Sequence, residues 1–316
     1  MTQFDFVKNR KIFYIISLCL FAVILVSFFI NGIVLDVTFK GGTRMLFELQ
    51  QDIDPNDAGA LVEQSLSGKK VNASITKTYA GGAEQNTTML RLDVAGDEPL
   101  TAEEEQKVRE VLKANYPVNL ESKLNQQSSI NPSFGKETLQ KGLTAVGIST
   151  VLILFYVAWR FSIMSGMSAA VCSVIALIHD CIMMVGTFII FKLPFNDIFI
   201  ASILTIIGYS INDTIVLYDR IRENSSIMKK ADHATIVNVS TWQTLSRSIN
   251  TAVTTLISVL ILYIFAAANN IGSLKDFGLS LVVGVITGCY SSVFIAAPLW
   301  YGWREKRLKT KLAAKA

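Results

Sequence analysis

Six apolar runs decide what this chain can become. They cover about 12–30, 139–158, 164–191, 197–218, 249–268 and 277–300, and each can cross a hydrocarbon core of about 30 Å as a helix rising 1.5 Å per residue. Backbone groups in lipid must be satisfied within the segment, so the runs are predicted to be helices. Composition agrees with an integral membrane protein: 51% of residues are hydrophobic, 17% are charged, and mean hydropathy is +0.42.

Basic residues orient the spans. Lys8, Arg10 and Lys11 precede the first run. Outside the polar segment 32–141, this topology puts 15 Lys and Arg on the cytoplasmic side and only Lys192 and Lys275 on the other. That asymmetry predicts a multi-pass membrane protein with both termini in the cytoplasm. The first run is too long for a leader's apolar core and no small-x-small site follows it, so it is expected to remain as a span. The divisions are then 1–31 (N-terminus and first span), 32–138 (an extracytoplasmic domain), 139–303 (spans two to six) and 304–316 (a basic tail). Within the third division, 225–248 is expected to lie as an amphipathic helix along the cytoplasmic surface.

The polar segment 32–141 carries 16 acidic and 12 basic residues, enough for a domain. Residues 36–49 read as a strand with a bulge at Gly41-Gly42, since Met45, Phe47 and Leu49 alternate after it. Asp54 and Pro55 open a helix to about residue 66. Strands at 71–79 and 87–94, joined through Gly81-Gly82, form a hairpin. Thr101 and Glu104 make a capping box for a helix that stops before Pro117, and 118–124 supplies a last strand. The order βαββαβ is that of a ferredoxin-like domain. The predicted fold is therefore a polytopic α-helical membrane protein with six transmembrane helices and one extracytoplasmic α+β, ferredoxin-like domain between the first two.

Several classes of chemistry have no support. Cys19, Cys172, Cys181 and Cys289 lie in apolar runs without metal-ligand spacing and read as small hydrophobes. No serine-histidine-acid set, nucleotide loop or basic nucleic-acid motif is present, so no enzyme activity, cofactor, metal or nucleic acid is expected. Gly41-Gly42 lacks the downstream lysine and hydroxyl of a phosphate loop.

What needs explaining is a carboxylate in the fourth run. Asp213 lies within GYSINDTIVLYDRIREN at 208–224, where an ionised group costs roughly 3 kcal/mol unless it is paired, wetted or protonated. Tyr209, Ser210, Asn212 and Thr214 surround it, and three- and four-residue spacing puts Tyr209, Asn212 and Asp213 along one edge. Arg247, with Asn250, Thr251 and Thr254, forms a second polar strip and is the available counter-charge, against the plain alternative of a snorkelling anchor. His179-Asp180 is another polar island, although adjacent residues on a helix point different ways. Gly284 and Gly288, four apart, allow close helix approach.

These motifs, with LIHD at 177–180, LSRSINT at 245–251 and LDVTFKGGT at 35–43, make nearly the whole chain resemble the SecD/SecF family of protein-export proteins of the bacterial cell membrane, similar in membrane architecture to resistance-nodulation-division transporters. The resemblance implies an auxiliary subunit that pairs with SecD beside the SecYEG channel, with YajC as a further partner, among membrane lipids. It implies use of a proton or sodium gradient to promote preprotein export. The family's membrane acid and arginine fall on Asp213 and Arg247, with His179 and Asp180 also family-like, and Asp36, Gly41 and Gly42 mark the junction of the outer domain. The readings weighed against this are a small-molecule exporter subunit and a structural scaffold whose polar residues only brace the bundle.

Overall fold

The computed structural model of the chain describes residues 4–79, 86–96, 98–162, 166–269 and 271–313. The Gly81-Gly82 connection and the expected start of the third span at Met164 lie outside these residues. Among the described residues six helical segments are long and apolar enough to cross a membrane.

Helices α6 (Gly166–Ile190), α7 (Asp197–Ile227) and α9 (Gly272–Ser291) form the centre of the bundle. Helices α1 (Arg10–Asn31), α5 (Pro132–Arg160) and α8 (His233–Ala268) lie around them with few of their apolar side chains buried. Close approach at the centre depends on small residues. A Cβ on Gly284 would stand 2.3 Å from Ile206, and one on Gly288 would meet Ser210 at 3.1 Å. Gly186 seats Ile24 of α1 in the same way, so the helices pack backbone to side chain.

Between α1 and α5 stands a polar α+β unit. Asp36 caps a single turn, α2 (Val37–Lys40), by accepting a hydrogen bond from the Thr38 amide at 2.8 Å. Strand β1 (Gly42–Leu49) therefore begins later than expected, and residues 36–41 are not strand. The glycine pair makes the corner. Gly41 has φ +87° and Gly42 φ +128°, and a Cβ on Gly42 would lie 2.1 Å from the Val94 carbonyl, so a side chain is excluded by both conformation and space.

After β1 come α3 (Pro55–Ser65), β2 (Val71–Tyr79), β3 (Asn86–Ala95) and α4 (Ala102–Asn115). Thr101 and Glu104 close the capping box of α4. The sheet is antiparallel in the order β2-β3-β1-β4, with β4 reduced to Val118–Asn119 and a fifth strand, β5 (Gln126–Ile130), pairing further along β1. The expected strand 118–124 is thus broken. Asn125 fills the gap, accepting from the Glu48 amide at 2.8 Å and donating to the Asn119 carbonyl at 2.8 Å, so a side chain stands in for the missing ladder bonds. Met45, Phe47, Leu90, Leu92, Val62, Val108 and Leu112 form the core between sheet and helices.

Two further expectations are corrected. The second span begins at Pro132, capped by Asn131, rather than at 139. The stretch 225–248 is not a separate surface helix: α7 runs on to Ile227, and α8 rises from His233 without interruption to Ala268. No glycine or proline falls between those residues. Ser240, Thr241 and Thr244 return their hydroxyls to the carbonyls four residues back, so they do not break the helix. The basic tail is also helical, since α10 (Ala297–Ala313) continues α9 after a π-helical turn at Ser292–Ala296.

Candidate functional site: two carboxylates in the bundle

Asp180 is 1% exposed and has the fuller set of partners. Its Oδ2 accepts from Ser210 of α7 at 2.7 Å and from Ser291 of α9 at 2.8 Å, which ties the three central helices together. Its Oδ1 lies 3.1 Å from Nδ1 of His179. The two side chains diverge along α6, yet the short imidazole folds back far enough to reach. His179 otherwise packs against the rings of Tyr290 and Phe21, and its Nε2 has no hydrogen-bond partner among the described residues.

The network continues toward the π-helical turn. Thr214 and Ser292 share a hydrogen bond of 2.8 Å, and Ser292 also donates to the Ser210 carbonyl at 3.3 Å. Tyr218 donates to the Ala296 carbonyl at 3.2 Å. A π-turn widens the ladder and frees carbonyls for such contacts. Ser210 and Thr214, expected to support Asp213, thus belong to the surroundings of Asp180.

Asp213 faces the other way, toward α8. Its Oδ1 accepts from Ser248 at 2.6 Å, whereas its buried Oδ2 has no hydrogen-bond partner among the described residues. Arg247 is exposed, and no ion pair joins it to Asp213 among the described residues. The expected counter-charge is therefore a neighbour acting through space, and the contact is made by the serine after it. The helical turn explains this: consecutive side chains on a helix point about 100° apart, so with Ser248 turned to Asp213 the Arg247 side chain is aimed elsewhere. Tyr209 packs against the bundle core, while Asn212, Thr251 and Thr254 are exposed, with Thr254 bonded to its own helix at Asn250.

The lower end of α7 is tied by charge and amides. Asp219 takes Arg160 of α5 and Arg222 at 3.0 Å each, and Asn224 donates to Ser240 and Gln243 of α8. At the opposite end, Asp36 and Asp93 share Arg44 and Arg91 in a closed quartet with contacts of 2.5 to 2.9 Å. The Asp36 amide also donates to the Phe195 carbonyl, in the turn between α6 and α7. The quartet fastens the sheet to the membrane helices at the junction where Gly41 and Gly42 turn the chain. Ser248, Ser292, Tyr290, Arg44, Arg91 and Asp93 were not singled out from sequence. Alternating charge at Arg91 and Asp93, which puts both on one face of β3, was the available signal for the quartet.

These observations define a polytopic membrane protein whose central helices enclose two carboxylates and whose first two spans flank an α+β unit. Residues 108–306 match the family described as protein export membrane protein SecD/SecF, C-terminal. The chain belongs to the SecD/SecF family. It is 33% identical over 97% of its length to the protein translocase subunit SecF of Alicyclobacillus acidocaldarius, covering 95% of that protein. It is 31% identical over 99% of its length to the protein translocase subunit SecDF of Thermus thermophilus, of which it covers 40%. The crystal structure of SecDF, a translocon-associated membrane protein from Thermus thermophilus, superimposes with a TM-score of 0.76 at 30% identity, over 96% of this chain and 39% of that one. A super-membrane-facing form of SecDF superimposes with a TM-score of 0.70 over the whole chain.

Proposed function

We propose that the chain is an auxiliary, noncatalytic subunit of the Sec export machinery, pairing with SecD and assisting preprotein passage through SecYEG, with YajC as a further partner. The relatives named above are translocase subunits, and SecD and SecF are joined in one chain in the SecDF relatives. Coupling to a proton or sodium gradient is assigned to Asp213. The carrying observation is the difference between the two carboxylates: Asp180 is held by two serines and a histidine, whereas one oxygen of Asp213 is buried without a partner. A group so sparsely held changes its cost of burial when it gains or loses a proton. Asp180 is then the fastening about which the helices move.

The outer unit is read as a ferredoxin-like domain that holds or moves the emerging polypeptide. The order βαββαβ and the strand order β2-β3-β1-β4 support that reading. The charge asymmetry of the sequence supports cytoplasmic termini. The test is completion of preprotein transport in vesicles after ATP-driven translocation is stopped, with and without an ion gradient. Asp213→Asn is expected to abolish the gradient-dependent part at normal abundance and SecD association. Unchanged gradient-dependent completion would remove Asp213 from the mechanism.

A further inference from the structure

At the end of the bundle that carries both termini, a cavity of about 660 Å³ opens between α1 and α10. Arg10 on α1 and Lys306 and Arg307 on α10 line it, together with the rings of Tyr14 and Trp303. None of its lining residues is a carboxylate. Glu305, the nearest acid in sequence, is engaged by Lys309 at 2.9 Å and stands 3.9 Å from Arg10. Neither Lys306 nor Arg307 has an ion pair among the described residues.

A second cavity of about 240 Å³ adjoins the first, and Tyr14 lines both. It follows α1 past Leu18 to Phe21, against Ile175 and Ile178 of α6, and Ser17 and His179 are the polar side chains in its otherwise apolar walls beside Tyr14. From Arg10 to Phe21 the helix rises roughly 16 Å, about one leaflet of a hydrocarbon core of about 30 Å. The groove therefore has three cations at the depth of a headgroup and an apolar channel as deep as an acyl chain.

We propose that this groove binds one anionic glycerophospholipid, its headgroup phosphate held by Arg10, Lys306 and Arg307 and one acyl chain laid along α1 past Tyr14 to Phe21. The tendency of basic residues to collect on one side of a membrane accounts for the charge. It does not account for an acid-free cavity that continues into an apolar channel. A free phosphate compound would satisfy the cations and leave the apolar walls uncovered, so the lipid is the occupant that fits both. Basic pockets between spanning helices recognise anionic headgroups in this way.

Native mass spectrometry of the purified full chain, titrated with phosphatidylglycerol or phosphatidylcholine, tests the proposal. Phosphatidylglycerol is expected to be retained in preference to phosphatidylcholine. Neutralising Arg10, Lys306 and Arg307 to Gln should weaken that retention by about five-fold per cation, whereas Lys8→Gln with Lys229→Gln and Lys230→Gln, an equal loss of charge at exposed positions, should leave it unchanged. The Lys306→Gln/Arg307→Gln double variant repeats the test without touching Arg10, which also packs over the Tyr301 ring. Leu18→Trp, which fills the channel, should weaken long-chain but not short-chain phosphatidylglycerol. Equal retention of the two lipids, equal loss in the control triple, or displacement of the lipid by inorganic phosphate at comparable concentration would each overturn the proposal. Gradient-dependent export is not part of this readout, so the result is independent of the role assigned to Asp213.

Discussion

Ser248 donates a 2.6 Å hydrogen bond to Asp213, so the α7 carboxylate is held by a hydroxyl of α8 and not by the guanidinium one residue before it. A neutral donor binds a carboxylate less strongly than a contacting arginine does. The relation between α7 and α8 is therefore one that a change in the charge of Asp213 can alter.

Removing that hydroxyl isolates the carboxylate. Ser248→Ala is expected to cost about 1–3 kcal/mol at the site and to lower gradient-driven preprotein completion, while Ser248→Thr, which keeps a donor, retains most of it. Vesicle transport measured at matched abundance checks this. An alanine variant with wild-type gradient dependence would show that the contact is incidental.

Asp180 is expected to matter for assembly of the bundle. Asp180→Ala removes the acceptor that Ser210 and Ser291 share in the interior and should destabilise the protein by about 1–3 kcal/mol. Asp180→Asn keeps an acceptor oxygen and should cost less. Thermal unfolding in detergent orders the three proteins, and an alanine variant that melts with the wild type would contradict the fastening role.

Gly42 and Gly32 separate strain from crowding. Both have positive φ, but only at Gly42 would a Cβ meet a neighbour, the Val94 carbonyl at 2.1 Å, and Gly32 has nothing within 4 Å. Gly42→Ala should destabilise the α+β unit by about 3 kcal/mol or more, against about 1 kcal/mol for Gly32→Ala. Limited proteolysis should release fragments of the α+β unit from the first variant at lower protease concentration.

Glu104 gives the α+β unit an acid-sensitive contact. The hydrogen bond from Lys69, followed by the Thr101 backbone amide, holds its carboxyl below the ordinary 4.5. Because the folded value is depressed, the contact stabilises the fold above pH 4.5 and is lost as the pH falls through the lower folded value. Lys69→Ala should therefore lower stability at neutral pH and reduce its fall on acidification below pH 4.5. Unfolding followed at several pH values compares the two, and parallel curves would exclude the contact as a contributor.

Local patterns carried far into this molecule. Apolar length marked the spans, Asp54-Pro55 and the Thr101 to Glu104 box marked two helix starts, and alternation in Met45, Phe47 and Leu49 marked the buried face of β1. Failures came where a side chain replaced a backbone bond or where hydroxyls bonded to their own helix. Asn125 broke the last strand, and Ser240, Thr241 and Thr244 let α8 run through a stretch that polarity alone read as a surface segment.

Sequence by itself determined that Asp213 is a carboxylate in a membrane span, because hydropathy and charge are properties of the local chain. It also marked Asp180, Arg247 and the glycine pairs as positions with something to explain. Only the tertiary structure decided which groups meet: Ser210 and Ser291 with Asp180, Ser248 with Asp213, and Arg10 with Lys306 and Arg307 around one cavity. Those meetings depend on the rotation and depth of each helix against its neighbours. Rotation is set by packing at small residues such as Gly284 and Gly288, which seat α9 against Ile206 and Ser210 of α7.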